Sequence, residues 1–185
     1  MTIRPWPRPF ARSPGALARD RAGASAVEFA LLLPLLVLLL FGSIEVTQAV
    51  MAKRKVTLVS SSLADLVSQK SSVSGTEMSN IFDAGAAIVT PFDSTKLSSV
   101  VSSVQIDNNG KVTVAWSQAR NGTARTQGAA YALPANLVVP NTGVIVSEIA
   151  YTYKPVLGYV ITGSLNLSET SYLRPRASQN VTYTP

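Results

Sequence analysis

The sequence predicts an α+β chain, with a long N-terminal membrane helix ahead of a small domain in which a short helix meets an antiparallel sheet. Three observations carry that prediction. No polar side chain lies between Ala30 and Phe41. A helical spacing of apolar residues resumes after Lys53, Arg54 and Lys55. Beyond Pro91 the apolar period shortens to two, the period of a half-buried strand. The boundaries that follow are a basic leader at 1–23, a transmembrane helix at 24–52, a helix extension and Ser-rich linker at 53–75, and a soluble α+β domain at 76–185.

The leader carries Arg4, Arg8, Arg12, Arg19 and Arg21 against Asp20 alone. The net charge of +6 is therefore concentrated at the N-terminal end, because from Val56 onward eight basic residues face seven acidic ones. That near-neutral remainder has no basic footprint for nucleic acid. The five leader arginines outnumber the three cations at 53–55, so the N-terminus is expected in the cytoplasm and the domain outside.

The apolar and small run at 29–44 is sixteen residues, short of the roughly 20 that span a bilayer. Spanning length requires the flanks as well, which brings Glu28 and Glu45 near the two ends, where a carboxylate reaches the interface cheaply. Pro34 removes one backbone donor and frees the Ala30 carbonyl, so a bend is expected there. Glu45 is expected either as an interfacial snorkelling residue or as a polar contact between assembled helices. The same basic and apolar order also occurs in secretory signals, but Ala49-Val50-Met51-Ala52 is a poor cleavage site.

Val56, Val59, Leu63 and Leu66 recur at three and four, extending the helix to about Gln69. Ser74 and Glu77 form a capping box that opens a second helix with Met78, Ile81, Phe82, Gly85 and Val89 on its buried face. Strands follow at 98–106 and 111–118, joined by the turn Asn108-Asn109-Gly110. In the second of these Val112, Val114 and Trp116 are expected on one buried face. Residues 129–140 are a loop or short helix, and further strands are expected at 142–153, 159–162 and 164–173, giving a sheet of four or five strands.

The chain has no histidine and no cysteine. The usual general base, the commonest metal ligand and the thiol nucleophile are thereby missing, which argues against an enzyme, a metal site or a bound cofactor. The acids Asp83, Asp93, Asp107, Glu148 and Glu169 stand singly, and the sequence after Asp107 lacks the later acid of a calcium loop. Tyr151, Tyr153 and Tyr159 read as strand packing or as a glycan-contacting edge.

The charged leader ends at Gly23, and Glu28 is the fifth residue after it, directly ahead of the apolar run. This arrangement resembles the signal of type IV pilin-like proteins, cut after the glycine by a prepilin peptidase. ASAVEFALLLP at 24–34 followed by FGSIE at 41–45 looks like the TadE-like family of pseudopilins, components of the tight-adherence (Tad) pilus machinery. VIVSEIAYTYKP at 144–155 and SETSYLRPR at 168–176 also look familiar for that family.

The resemblance implies a pilin-like domain on a membrane helix, with cleavage between Gly23 and Ala24. It also implies assembly through Glu28, which in those families helps subunits assemble by pairing with a neighbour's new N-terminal amine. Expected partners are the prepilin peptidase, other pseudopilins and pilus assembly proteins, and the lipid bilayer of the inner membrane. The alternative expectation, from another class, is a membrane-anchored module that binds glycan or peptide through the Tyr-rich edge and is not processed at Gly23.

Overall fold

The computed structural model describes residues 21–155 and 158–185. The leader expected at 1–23 therefore lies outside the described residues, apart from its last three positions.

One helix dominates the molecule. α1 runs Arg21–Ser68, 48 residues, about 72 Å at 1.5 Å per residue. It is continuous through Pro34. Its two halves differ in surroundings. Val27, Phe29 and the leucines from Leu31 to Leu40 are exposed on every side, whereas Val56, Val59, Leu63, Ala64 and Val67 are fully buried. The buried stripe ends on Val67 and not on the expected Leu66, which is exposed. A face that keeps positions 56, 59 and 63 buried returns at the next full turn, four residues on, and leaves position 66 on its shoulder.

A short strand, β1 (Ser72–Ser74), replaces the expected linker and pairs in parallel with β6 (Thr182–Thr184) at the C-terminus. α2 (Gly75–Val89) starts with the capping box that its sequence announces: the Ser74 side chain accepts from the Glu77 N–H, and the Glu77 carboxylate accepts from the Ser74 N–H. Met78, Ile81, Phe82, Gly85 and Val89 form its buried face. Gly85 sits where α2 crosses α1, since a methyl group there would stand 3.2 Å from Leu63 Cδ2 and 3.3 Å from Val59 Cγ1.

β2 (Leu97–Ile106), β3 (Val112–Arg120), β4 (Thr142–Tyr153) and β5 (Leu165–Leu173) form an antiparallel sheet in the order β3-β2-β4-β5. The Asn108-Asn109-Gly110 turn closes β2 on β3, with the Asp107 carboxylate accepting the N–H groups of Asn109 and Lys111. Residues 159–162, expected as a strand, form no strand. Their backbone donors are used elsewhere, as described below.

The core has two parts. α1 and α2 cover one face of the sheet through Leu97, Val101, Trp116, Ile145, Ile149, Tyr151 and Tyr153. The opposite face is capped at one end by Tyr131, Leu133 and Val138 over Val104, Ile106, Val144 and Val146. A bulge corrects the single buried face expected for β3. Ser103 pairs with Trp116 but Val104 pairs with Val114, so Ala115 is an extra residue. The extra residue reverses side-chain phase, which sends Val112 to the outer cluster and Trp116 to the helix side. There the indole N–H donates to the Val181 carbonyl at 2.7 Å, holding the C-terminal segment.

Candidate functional site

The bare half of α1 is the most unusual surface of the molecule. It is the one helix among the described residues that is long and apolar enough to cross a membrane, and none of its most apolar window is covered by the fold. Exposed leucines on all sides of a helix are not a soluble-protein surface, because each buried leucine side chain is worth about 1.5–3 kcal/mol. Burial of this segment requires lipid or other apolar helices.

The residues picked out by sequence are distributed along it. Gly23 and Ala24 lie two and three residues inside the start of α1 and are exposed. A methyl group added at Gly23 would meet nothing within 4 Å. Among the described residues the glycine therefore has no packing role, although it weakens a helix by about 1 kcal/mol relative to alanine. Glu28 is exposed one turn further on, on the face that carries Ala24. Pro34 is also exposed and, with Val37, Leu38 and Phe41, lines a shallow apolar recess overhung by Tyr159.

Glu45 is different. It is 2% exposed. Its carboxylate accepts three consecutive backbone N–H groups, from Tyr159 at 2.7 Å, Val160 at 3.0 Å and Ile161 at 2.7 Å. Among the described residues no cation forms an ion pair with it; successive amides satisfy the charge, as in an anion-binding nest. The loop curls around the carboxylate between Gly158 (φ 69°) and Gly163 (φ 91°), both in the left-handed region that glycine adopts without strain. Within one chain, then, the Glu45 carboxylate is bonded to its own domain. No local sequence signal identifies this partner, because the loop lies more than a hundred residues away.

Above Glu45 a series of polar contacts fixes helix to sheet. Lys53 Nζ donates to Glu169 Oε2 at 2.7 Å and to the Ser168 carbonyl at 2.5 Å. This bond and the Thr57 hydroxyl hold the Glu169 carboxyl below its ordinary value. Ser60 Oγ, fully buried, donates to the Ser147 carbonyl and is 2.9 Å from Ser171 Oγ. The Arg176 N–H donates to the Ser68 carbonyl at the helix end. Contacts from Lys53 to Ser68 thus climb β5 from Ser168 to Ser171 and continue to Arg176 beyond its end. The Leu165 end of the sheet faces the bare helix, and the Asn108–Gly110 turn lies at the far end.

The remaining acids have structural work. Asp83 pairs with Arg120, Glu148 accepts from both Nε and Nη2 of Arg125, and Asp93 caps the turn at Ser94–Lys96. No group of three or more acidic or imidazole ligands suited to a metal occurs among the described residues. Tyr151 and Tyr153 are 4% and 3% exposed and pack edge-on against Phe92 in the core. They lie on β4, an interior strand of the sheet. The aromatic edge needed by a glycan- or peptide-binding module is not formed by these tyrosines.

Comparison with known families bears on the bare helix directly. Residues 23–65 match the family model described as TadE-like protein. The helical segment is TadE-like. The match opens on Gly23, covers Glu28, Pro34 and Glu45, and closes inside α1, so the TadE-like region is the helix and none of the sheet. No curated protein and no solved structure matches the chain. The TadE-like match points to a function related to the Tad pilus, in the company of other pilus proteins. Among the described residues, the single apolar helix that carries the TadE-like match is compatible with single-pass membrane anchoring.

Proposed function

We propose that the chain is a minor pseudopilin in the assembly of a Tad-type pilus. A prepilin peptidase removes the basic leader after Gly23, and the apolar helix stays on the mature protein. The observation that carries this reading is the coincidence at Gly23. The TadE-like match begins there, and among the described residues the fold has no packing use for the missing side chain.

The chemistry follows from spacing. Cleavage would create an amine at Ala24, and Glu28 lies one turn along the same face. A neighbouring helix offering its own amine would neutralise Glu28, and the pairing is favourable only when the two charges meet directly. The leucines at 31–40 would then exchange lipid for the leucines of adjacent subunits. The inner membrane, with the N-terminus cytoplasmic and the domain outside, is the setting that the arginine-rich leader favours. Glu45 serves assembly indirectly in this reading, by fixing the domain at a set height on the helix.

Intact-mass measurement of the membrane fraction tests the proposal. The expected product begins at Ala24. A product beginning at Met1, or near Ala52 with the apolar helix gone, would remove the central step.

A further inference from the structure

The loop held by Glu45 places two large apolar side chains where the bare helix meets the domain. Tyr159 is 68% exposed and Val160 46%. The Tyr159 ring stacks on Phe41 with centroids 5.7 Å apart, and Val160 packs so closely on Gly42 that a methyl group there would stand 3.2 Å from its Cγ2. Tyr159 also overhangs the recess of about 340 Å³ lined by Pro34, Val37, Leu38 and Phe41. The loop therefore reaches back along the helix, about 6 Å below Glu45 at 1.5 Å per residue, into the apolar run.

We propose that this loop is a membrane foot, with Tyr159 and Val160 seated in the headgroup–acyl boundary of the bilayer beside the helix. The proposal rests on the membrane reading above and adds a second, non-helical contact to it. Two features argue for lipid as the occupant. The exposed patch is continuous with the lipid-compatible helix face, and the apolar run at 29–44, about 24 Å long, is shorter than a hydrocarbon core of about 30 Å. The helix must therefore sink until Phe41 and its neighbours lie at the boundary, which carries the loop there too. Furthermore, non-helical backbone approaches lipid only when its polar groups are satisfied, and the N–H groups of Tyr159, Val160 and Ile161 are all taken by Glu45. A tyrosine is suited to that depth, with an apolar ring and a hydroxyl that reaches water.

The chain has no cysteine, so single-cysteine variants can carry one spin label each. Val160→Cys, Leu38→Cys and Asn109→Cys, each in the full chain, would be reconstituted in vesicles of phosphatidylethanolamine and phosphatidylglycerol. Collisions with oxygen, which partitions into lipid, are compared with those of a water-soluble nickel chelate. The expected result is oxygen-dominated collision at Leu38 and Val160 and nickel-dominated collision at Asn109. A label at Val160 that is nickel-dominated while Leu38 is oxygen-dominated overturns the foot and leaves the membrane helix standing. A Val160 label shielded from both reagents overturns it in favour of a second copy of the chain. A nickel-dominated Leu38 overturns the membrane reading itself. Adding Glu45→Gln to the Val160→Cys variant should free the label and raise its nickel collisions, and an unchanged spectrum would remove the clasp from the proposal.

Discussion

Glu45 and Ile161 are 116 positions apart in the chain and 2.7 Å apart in space, a helix carboxylate accepting a loop amide. With the neighbouring bonds to Tyr159 and Val160, that contact sets the height at which the folded domain stops and the bare helix begins.

Replacing Glu45 by Gln keeps the size but substitutes an NH2 group for one acceptor oxygen, so at least one loop N–H would face a donor. Bonds to a charged acceptor are the stronger kind. Cleavage by chymotrypsin at Tyr159 in the detergent-solubilised protein should quicken by about tenfold, the ratio expected when bonds of that strength are lost. An unchanged cleavage rate would show that the loop is held by something else.

Leu63 and Leu38 lie on the same helix in opposite surroundings, 0% and 52% exposed. Leu63→Ala should destabilise the domain by about 2–5 kcal/mol through lost burial and a residual cavity. Leu38→Ala should leave its unfolding midpoint unchanged, because that side chain is half exposed and belongs to neither core cluster. Chemical denaturation followed by tryptophan emission distinguishes the two, and comparable losses would contradict the division of α1 into a packed and a bare half.

Lys70 and Ser74 hold the Glu77 carboxyl down to about 2. A depressed value in the folded state means that the carboxylate stabilises the fold fully above its unfolded value of 4.5 and loses that contribution as the pH falls toward about 2. Thermal midpoints measured on either side of that window should fall further for the native chain than for Glu77→Gln. Equal falls would place the acid sensitivity elsewhere.

Gly23→Leu should block removal of the leader without altering the fold, since a Cβ at that position meets nothing within 4 Å among the described residues. Glu28→Gln should leave removal of the leader intact and impair pilus formation. Mass spectrometry of the membrane fraction, with electron microscopy of cell surfaces, separates these outcomes; loss of membrane association in either variant would contradict both roles.

Much of the fold could be read in advance because its signals are local. The capping box of Ser74 and Glu77, the Asn108-Asn109-Gly110 turn and the apolar spacing of α2 each depend on residues within a few positions of one another. The errors arose where distant parts of the chain competed for the same groups. Residues 159–162 carry strand-like side chains, yet three of their amides are committed to Glu45. The bulge at Ala115 comes from pairing with β2 and reverses the face expected of Trp116. The buried stripe passes through Val67 and not Leu66 because α2 and the sheet together choose the angle of the covered face.

The candidate site divides along the same line. Gly23, Glu28 and Pro34 were apparent from their order in one helix, whereas the partner of Glu45 was not, since nothing near position 45 names a loop at 158–161.

By itself the sequence determined that this protein has a long apolar helix, a capped second helix and a strand-rich remainder, because periodicity, caps and turns are short-range physics. Only the tertiary structure decided how far the domain covers that helix and that Glu45 would bind its own chain. Three amides converge on one carboxylate only after the sheet has brought the loop to the helix.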